Sequence, residues 1–175
     1  EFSFTKEIED RLLAPLPAWA VGAEKVVVAA LRGVIAGILI VPLAAVILPG
    51  GVDLSDVSWL GFVLVVVGGA TVGAAMGLVL GTAVPPNRIS VVFAVVLTPL
   101  LFTGATFYPW TSLGGLRWFQ ILTLCNPLTY VSEGMRAAIT SSPHLATQWI
   151  VLGLVVSTVI FGWLGGRLFS RRAID

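Results

Sequence analysis

Four long stretches of the chain contain almost no charged side chains, and polar segments separate them. They cover about residues 26–48, 59–81, 89–108 and 148–166, and the single charge inside them is Arg32. A helix needs about 20 mainly apolar residues to cross the hydrocarbon core of a bilayer. Apolar runs of this length far exceed an ordinary β-strand of about 5–6 residues. The pattern therefore predicts four membrane-spanning helices.

The composition supports a chain that lipid surrounds. Hydrophobic residues make up 57% of the 175 residues and charged residues only 11%, whereas soluble domains carry about 25% charged residues. The formal net charge of +1 gives no strongly basic surface, so we expect no nucleic-acid partner. The predicted fold class is an all-α integral membrane protein, a polytopic helical bundle with about four spans.

Lysine and arginine predict the orientation of the bundle, because positive charges concentrate in cytoplasmic loops. With the N-terminus inside, eight of these residues fall on the cytoplasmic side and two, Arg117 and Arg136, fall outside. We therefore expect a multi-pass protein of the cell membrane with both ends of this chain cytoplasmic.

A short amphipathic helix is predicted at residues 5–14, before the first span. Ile8 and Leu12 share one side of it, and Glu7 and Arg11 are spaced to pair across one turn. Pro15 should end the helix, since proline restricts the residue before it. Such a helix serves either as an anchor at the cytoplasmic interface or as a docking element for a soluble partner.

Small residues repeat along one side of the second predicted span. Gly69, Gly73, Gly77 and Gly81 recur every four residues, so all four lie close to one helix face. Glycine lets two helix backbones approach closely. The repeat predicts helix packing within the bundle, a dimer contact or a moving contact.

Residues 109–147 form an outer segment that is neither a plain loop nor a span. Residues 113–124 are apolar but too short to cross, which predicts a re-entrant or amphipathic helix. Asn126 and Pro127 then begin a new helix as its N-cap and first residue. On it, Glu133 and Arg136 are spaced to pair. This segment is either a structural cap or a substrate exit or gate.

Other polar residues give little sign of catalysis. Arg32, about two turns inside the first span, either snorkels to the headgroups or takes part in gating or substrate contact. Cys125 and His144 are the sole cysteine and histidine, so neither a disulfide nor a metal site is expected. Neither Lys6 nor Lys25 follows glycine as a P-loop requires. We expect no catalytic or cofactor-binding residues here.

Three stretches in order resemble the permease subunit of ABC-2 type transporters. They are residues 6–17 followed by Glu24 and Lys25, residues 104–109, and the Asn-Pro-Leu-Thr-Tyr run from Asn126 to Tyr130 continuing to Arg136. The resemblance implies one transmembrane domain over residues 1–175, without two N-terminal spans of a six-span family. It also implies that the 5–14 helix is a coupling helix, with a docking surface formed by Glu7, Glu9, Arg11, Leu12 and Leu13.

The function that this resemblance implies is export by alternating access. A cytoplasmic ATPase subunit would bind ATP and Mg and drive the movement, and a second permease copy would face this one. Arg32 and the outer residues Asn126, Pro127, Tyr130, Glu133 and Arg136 are candidate gate residues. An amphiphilic, drug-like, lipid or lipid-linked substrate is expected because the spans are nearly uncharged.

Two alternatives remain from the sequence. One is an integral membrane enzyme acting on lipid, with Arg32, Glu133 and Arg136 as its polar site. The other is a non-catalytic membrane scaffold. Binding to an ATPase subunit would distinguish the permease from both, whereas turnover of lipid by the chain alone would support the enzyme.

Overall fold

A computed structural model describes residues 18–47 and 57–172 of the chain, and within those ranges every regular element is helical. The α-helices are α1 (Ala18–Ile47), α2 (Trp59–Ala83), α3 (Ile89–Thr103), α4 (Arg117–Leu124), α5 (Pro127–Ile139) and α6 (Thr147–Arg172). Short 3-10 helices lie at Pro86–Arg88 and Trp110–Gly115. The predicted all-α fold class is confirmed.

Helix α2 is the centre of the bundle, because α1, α5 and α6 all pack against it. Gly33 and Gly37 of α1 lie against Ala70 and Val66 of α2, so α1 and α2 run antiparallel. Gly68 lies against Leu154, and Gly165 lies against Leu78. Helices α2 and α6 therefore run parallel and begin at the same end of the bundle.

The core between these helices is small and apolar. Its buried members include Val72 and Met76 of α2, Ile150 and Leu154 of α6, and Leu145 just before α6. Many large apolar side chains point outward instead; Ile35 of α1, for example, is 59% exposed. A soluble monomer rarely exposes apolar patches of this extent, so lipid is the natural surrounding of these faces.

Three helices are long and apolar enough to cross a membrane: Trp19–Ala44, Trp59–Ala83 and Thr147–Arg171. They correspond to the first, second and fourth predicted spans. The first begins earlier than predicted, and α6 extends beyond residue 166 to Arg172. Helices tolerate a few charged residues at their ends, where long basic side chains reach the headgroups.

The third predicted span, residues 89–108, is helical only from Ile89 to Thr103. Fifteen residues rise about 22 Å, less than the roughly 30 Å hydrocarbon core. The helix stops because Gly104 turns the chain and Ala105 takes a positive φ of 52°. The aromatic run 107–110 thus belongs to the outer segment rather than to a helix end.

Helix α3 is joined to the bundle in a different way from the others. It packs on α5 rather than along α2, and its side chains Val91, Val95 and Phe102 are mostly exposed. Its attachment to the rest of the described chain is concentrated at the end that meets the outer segment. That segment is the candidate functional site.

Candidate functional site

The outer segment is built on α5, whose start follows the predicted capping pattern. Asn126 is the N-cap, and its side-chain oxygen accepts a hydrogen bond from the Leu128 N–H at 2.9 Å. Pro127 occupies the first helical turn, where its missing N–H costs nothing. Both predictions, the N-cap and the proline, are confirmed.

The same asparagine ties α5 to α3. Its amide nitrogen donates to the Leu100 carbonyl at 2.7 Å and to the Thr103 hydroxyl at 2.9 Å. Ser132, nearly two turns further along α5, donates to the Gly104 carbonyl at 2.5 Å. Two of these bonds go to carbonyls at the C-terminal end of α3, where the last turn of a helix leaves carbonyls to be satisfied from outside. The end of α3 is therefore fixed to α5 by polar contacts.

Glu133 is the centre of the outer segment. It is completely buried, and its carboxylate accepts hydrogen bonds from three parts of the chain. The Trp110 N–H donates to one oxygen at 2.9 Å, the Leu145 N–H donates to the other at 2.7 Å, and Arg136 forms the predicted ion pair. The prediction that Glu133 and Arg136 pair is confirmed.

Arg136 extends this cluster to the strained turn after α3. Its second terminal nitrogen donates to the Ala105 carbonyl at 3.3 Å, and Ala105 itself is buried with its positive φ. A buried carboxylate is costly unless it is both paired and hydrogen-bonded. Trp110 and Leu145 come from two stretches outside α5, and Arg136 of α5 reaches Ala105. The Glu133 cluster therefore joins the turn after α3, the 3-10 helix Trp110–Gly115, α5 and the segment just before α6.

Tyr130 links α5 to α4 and α6. Its hydroxyl donates to the Leu124 carbonyl at 2.7 Å, and its ring lies over Gly153 of α6, where a Cβ atom would overlap it. Burial raises the pKa of the Tyr130 phenol above its ordinary value of 10.0, and the nearby Cys125 thiol adds to this. The phenol is therefore a neutral donor at physiological pH.

This arrangement holds chain segments together, and its polar groups are taken up by hydrogen bonds within the protein. Within the described residues, every buried side-chain nitrogen or oxygen has a hydrogen-bond partner, and no three His, Cys, Asp or Glu side chains group as metal ligands. Arg32 is not part of this cluster, because it lies exposed on α1. The Glu133 carboxylate is bonded to Trp110, Leu145 and Arg136 instead. The residues proposed for a lipid-modifying enzyme do not form one site.

The glycine repeat of α2 divides into two parts. A Cβ on Gly69 would lie 2.9 Å from Val131 of α5, so this glycine permits close packing. At Gly73, Gly77 and Gly81 a Cβ would meet no described atom within 4 Å. The predicted helix packing thus has a partner in the described chain at Gly69, and at the other three positions it stays a prediction about a further helix or a second copy.

Sequence reasoning missed several residues of the outer segment. Trp110 and Leu145 contribute backbone N–H groups to Glu133, which no side-chain pattern reveals. Gly104, Gly134 and Gly153 lie in direct contact with Leu128, Val65 and Tyr130, but they do not form a repeat that would mark them. The predicted docking residues Glu7, Glu9, Arg11, Leu12 and Leu13 lie outside the described residues.

Comparison with known proteins yields one family. The family model described as ABC-2 type transporter matches residues 2–140. The chain is 30% identical over 164 residues to the inner membrane transport permease YadH of Escherichia coli K12, covering 91% of this chain and 62% of the relative. The YadH protein of Shigella flexneri matches equally. The chain thus spans less than two thirds of these relatives, and no solved structure matches it significantly.

Proposed function

The chain belongs to the ABC-2 type transporter family, and from that premise we propose that it is the permease part of an ATP-driven exporter. Its membership, its apolar spanning helices and a relative named as a transport permease support a transport subunit rather than an enzyme. The observation that carries the proposal is the family match across residues 2–140, which includes both the predicted docking segment and the Glu133–Arg136 pair.

ATP would be hydrolysed, with Mg, by a separate cytoplasmic subunit. The proposed docking surface is the amphipathic segment 5–14, where Glu7, Glu9 and Arg11 offer charge and Leu12 and Leu13 offer an apolar contact. This surface lies directly before α1 in the sequence. A displacement of this segment by the ATPase subunit would therefore move α1. The close packing of α1 on α2 at Gly33 and Gly37 would then transmit the movement to the centre of the bundle.

Helix α3 is the proposed moving element. Three side chains hold its C-terminal end. Asn126 donates to Leu100 and Thr103, Ser132 donates to Gly104, and Arg136 donates to Ala105. Its remaining length lacks comparable contacts with α2 among the described residues. Such an element can tilt about its fixed end while the outer segment stays intact, as alternating access requires.

We place both ends of this chain in the cytoplasm and the Glu133 cluster outside, from the distribution of lysine and arginine. A second permease copy would face this one, and Gly73, Gly77 and Gly81 offer it a surface without side chains. The nearly uncharged spans favour an amphiphilic, drug-like, lipid or lipid-linked substrate.

Charge reversal in the docking segment tests the proposal. Glu7→Arg and Arg11→Glu, each alone in the protein of natural length, should weaken association with the ATPase subunit in detergent. The double variant should partly recover association if the two side chains pair. Arg117→Glu, which reverses an exposed charge in the outer segment, is the control and should not change association.

Two results would contradict the proposed function. One is unchanged association in every variant with the protein still inserted in the membrane. The other is chemical turnover of lipid by the purified chain in the absence of any ATPase subunit, which would favour the enzyme alternative instead.

A further inference from the structure

Helix α6 has one face inside the bundle and one face outside it. On the inner face Ile150 and Leu154 are buried, and Phe169 packs against Gly22 of α1 near the C-terminal end. The outer face is a strip of exposed side chains three or four residues apart, a spacing that keeps them on one side of the helix. They are Leu152, Val156, Ile160, Trp163, Arg167 and Arg171. The strip is therefore apolar along most of the span and ends in two arginines.

The basic end of the strip lies at the depth of a membrane surface. Helix α6 is continuous from Thr147 to Arg167, and these residues are about 30 Å apart along its axis at about 1.5 Å per residue. That length equals the thickness of the hydrocarbon core. Trp163, one turn before Arg167, is 63% exposed, and tryptophan is enriched at the level of the headgroups. Arg167 and Arg171 therefore lie where the headgroups begin.

Trp163 holds the Arg167 guanidinium at that depth. The central carbon of the guanidinium lies 5.2 Å from the centroid of the indole ring, within the distance at which an aromatic face attracts a cation. Because Trp163 precedes Arg167 by one turn, the charge is directed back along the strip toward the membrane. The positive charge therefore lies beside the lipid headgroups rather than in bulk water.

Within the described part of the chain, nothing neutralises these two arginines. The carboxylates in residues 18–47 and 57–172 are Glu24 and Glu133, and neither is paired with Arg167 or Arg171. Glu133 belongs to the cluster at the opposite end of the bundle. The C-terminus of α6 supplies a partial negative charge of about 0.5, which is less than the charge of the two guanidinium groups. This end of the strip therefore attracts an anion.

The geometry of the strip selects a phosphate that is joined to an apolar chain. Arg167 and Arg171 are about 6 Å apart along one side of the helix, so one phosphate group can accept hydrogen bonds from both. The planar guanidinium has a fork of N–H donors that matches phosphate oxygens. The exposed side chains of Ile160 and Val156, at 53% and 44%, continue the strip into the hydrocarbon region. A soluble anion would use the arginines alone, whereas an anionic lipid uses the whole strip.

We propose that the outer face of α6 binds an anionic phospholipid, with the phosphate between Arg167 and Arg171 and an acyl chain along Ile160 and Val156. Trp163 positions the Arg167 guanidinium for this contact. The site is separate from the Glu133 cluster and does not depend on transport activity or on its direction. Only the identity of the leaflet, cytoplasmic in the proposed orientation, rests on the proposed function.

Photolabelling by two lipid probes tests the proposal. The protein of natural length is reconstituted in phosphatidylcholine vesicles that contain a trace of either phosphatidylglycerol or phosphatidylcholine with the same diazirine in its acyl chain. After irradiation, labelled residues are identified by mass spectrometry. We expect the phosphatidylglycerol probe to label Ile160 more strongly than the phosphatidylcholine probe does. Both probes should label Ile35 equally, because this residue is exposed on α1 outside the strip.

Arginine variants identify the headgroup contact. Arg167→Gln and Arg171→Gln should each lower phosphatidylglycerol labelling at Ile160 about fivefold, the usual contribution of one basic residue near an anionic membrane. Arg167→Lys keeps the charge but not the fork of donors, and should lower it less. The matched control is Arg88→Gln, which removes an exposed charge from the same end of the bundle but from the 3-10 helix after α2. It should leave labelling unchanged, and all four variants should fold because the positions are exposed.

Four outcomes would overturn the proposal. Equal labelling of Ile160 by the two probes would mean ordinary annular lipid. An effect of Arg88→Gln as large as that of Arg167→Gln would mean a diffuse attraction by the whole basic end. Displacement of the probe by inorganic phosphate, but not by sodium chloride at the same ionic strength, would mean a site for a soluble anion. Cross-links to protein from a photoreactive residue at position 160, without lipid labelling, would mean that a second copy, the ATPase subunit or another part of this chain covers the strip.

Discussion

At the scale of single residues, Glu133 contributes most to the outer segment. Removing its carboxylate leaves Arg136 unpaired and two buried N–H groups, those of Trp110 and Leu145, without an acceptor. Breaking a buried pair from one side costs about 3–5 kcal/mol. We therefore expect Glu133→Ala to lower the thermal unfolding temperature in detergent sharply, and Glu133→Gln, which keeps the shape and one acceptor, to lower it less.

Arg117→Gln is the control for Glu133, since it removes an exposed charge from the same outer segment. Its effect should stay within about 0.5 kcal/mol. If Glu133→Ala unfolds at the same temperature as the parent protein, the carboxylate does not join the segments as described.

Two glycines of α6 provide a matched pair at the same scale. A Cβ at Gly153 would overlap the ring of Tyr130, whereas a Cβ at Gly162 would meet no described atom within 4 Å. Overpacking costs roughly 1–3 kcal/mol, so Gly153→Ala should lower the unfolding temperature and Gly162→Ala should not. Equal effects of the two variants would show that Tyr130 moves away without cost.

At the scale of elements, the Asn126 side chain has two roles that can be tested separately. Its oxygen caps the start of α5, and its amide nitrogen attaches the end of α3. Asn126→Asp keeps the oxygen that caps Leu128 but loses the amide that donates to Leu100 and Thr103. Each unsatisfied buried group costs about 1–3 kcal/mol. Hydrogen exchange should therefore accelerate in residues 99–105 and stay unchanged in residues 127–139.

Asn126→Ala is the comparison, because it removes the cap and the attachment together. It should accelerate exchange in both segments. If Asn126→Asp leaves residues 99–105 as protected as in the parent, the end of α3 is fixed by packing at Gly104 and Leu128 rather than by the asparagine.

At the scale of the whole molecule, the proposed orientation follows from the distribution of lysine and arginine along the chain. In a Cys125→Ser background, single cysteines at Ser3 and Arg171 should resist a membrane-impermeant maleimide in intact cells. Cysteines at Asp53 and at Ser142, beside His144, should react. Reaction at Ser3 and Arg171 from outside would reverse the topology, because the lysine and arginine distribution would then have failed as its guide.

The sequence predicted the apolar helices well, because uncharged runs of about 20 residues have few alternatives in lipid. It also predicted the Asn126 cap and the Glu133–Arg136 pair, since both depend on spacing within one helix. It did not predict the early end of α3 or the backbone N–H partners of Glu133. Those depend on backbone groups of Ala105, Trp110 and Leu145, which meet only once distant segments have packed.

The glycines show the same limit. The repeat at Gly73, Gly77 and Gly81 is conspicuous in the sequence, yet within the described residues these positions face open space. The isolated Gly134 and Gly153 carry the close contacts with Val65 and Tyr130. Spacing along one helix identifies a face, but the neighbouring helix determines which face is used.

The most direct test of a two-component, ATP-driven permease is transport by the reconstituted pair. The protein of natural length and its copurified ATPase are placed in inside-out vesicles, and accumulation of a fluorescent amphiphile is followed with ATP and Mg. We predict ATP-dependent accumulation that is lost when the P-loop lysine of the ATPase is replaced and reduced by Glu7→Arg in this chain. Accumulation that is independent of ATP, or unchanged by both substitutions, would contradict the proposed function.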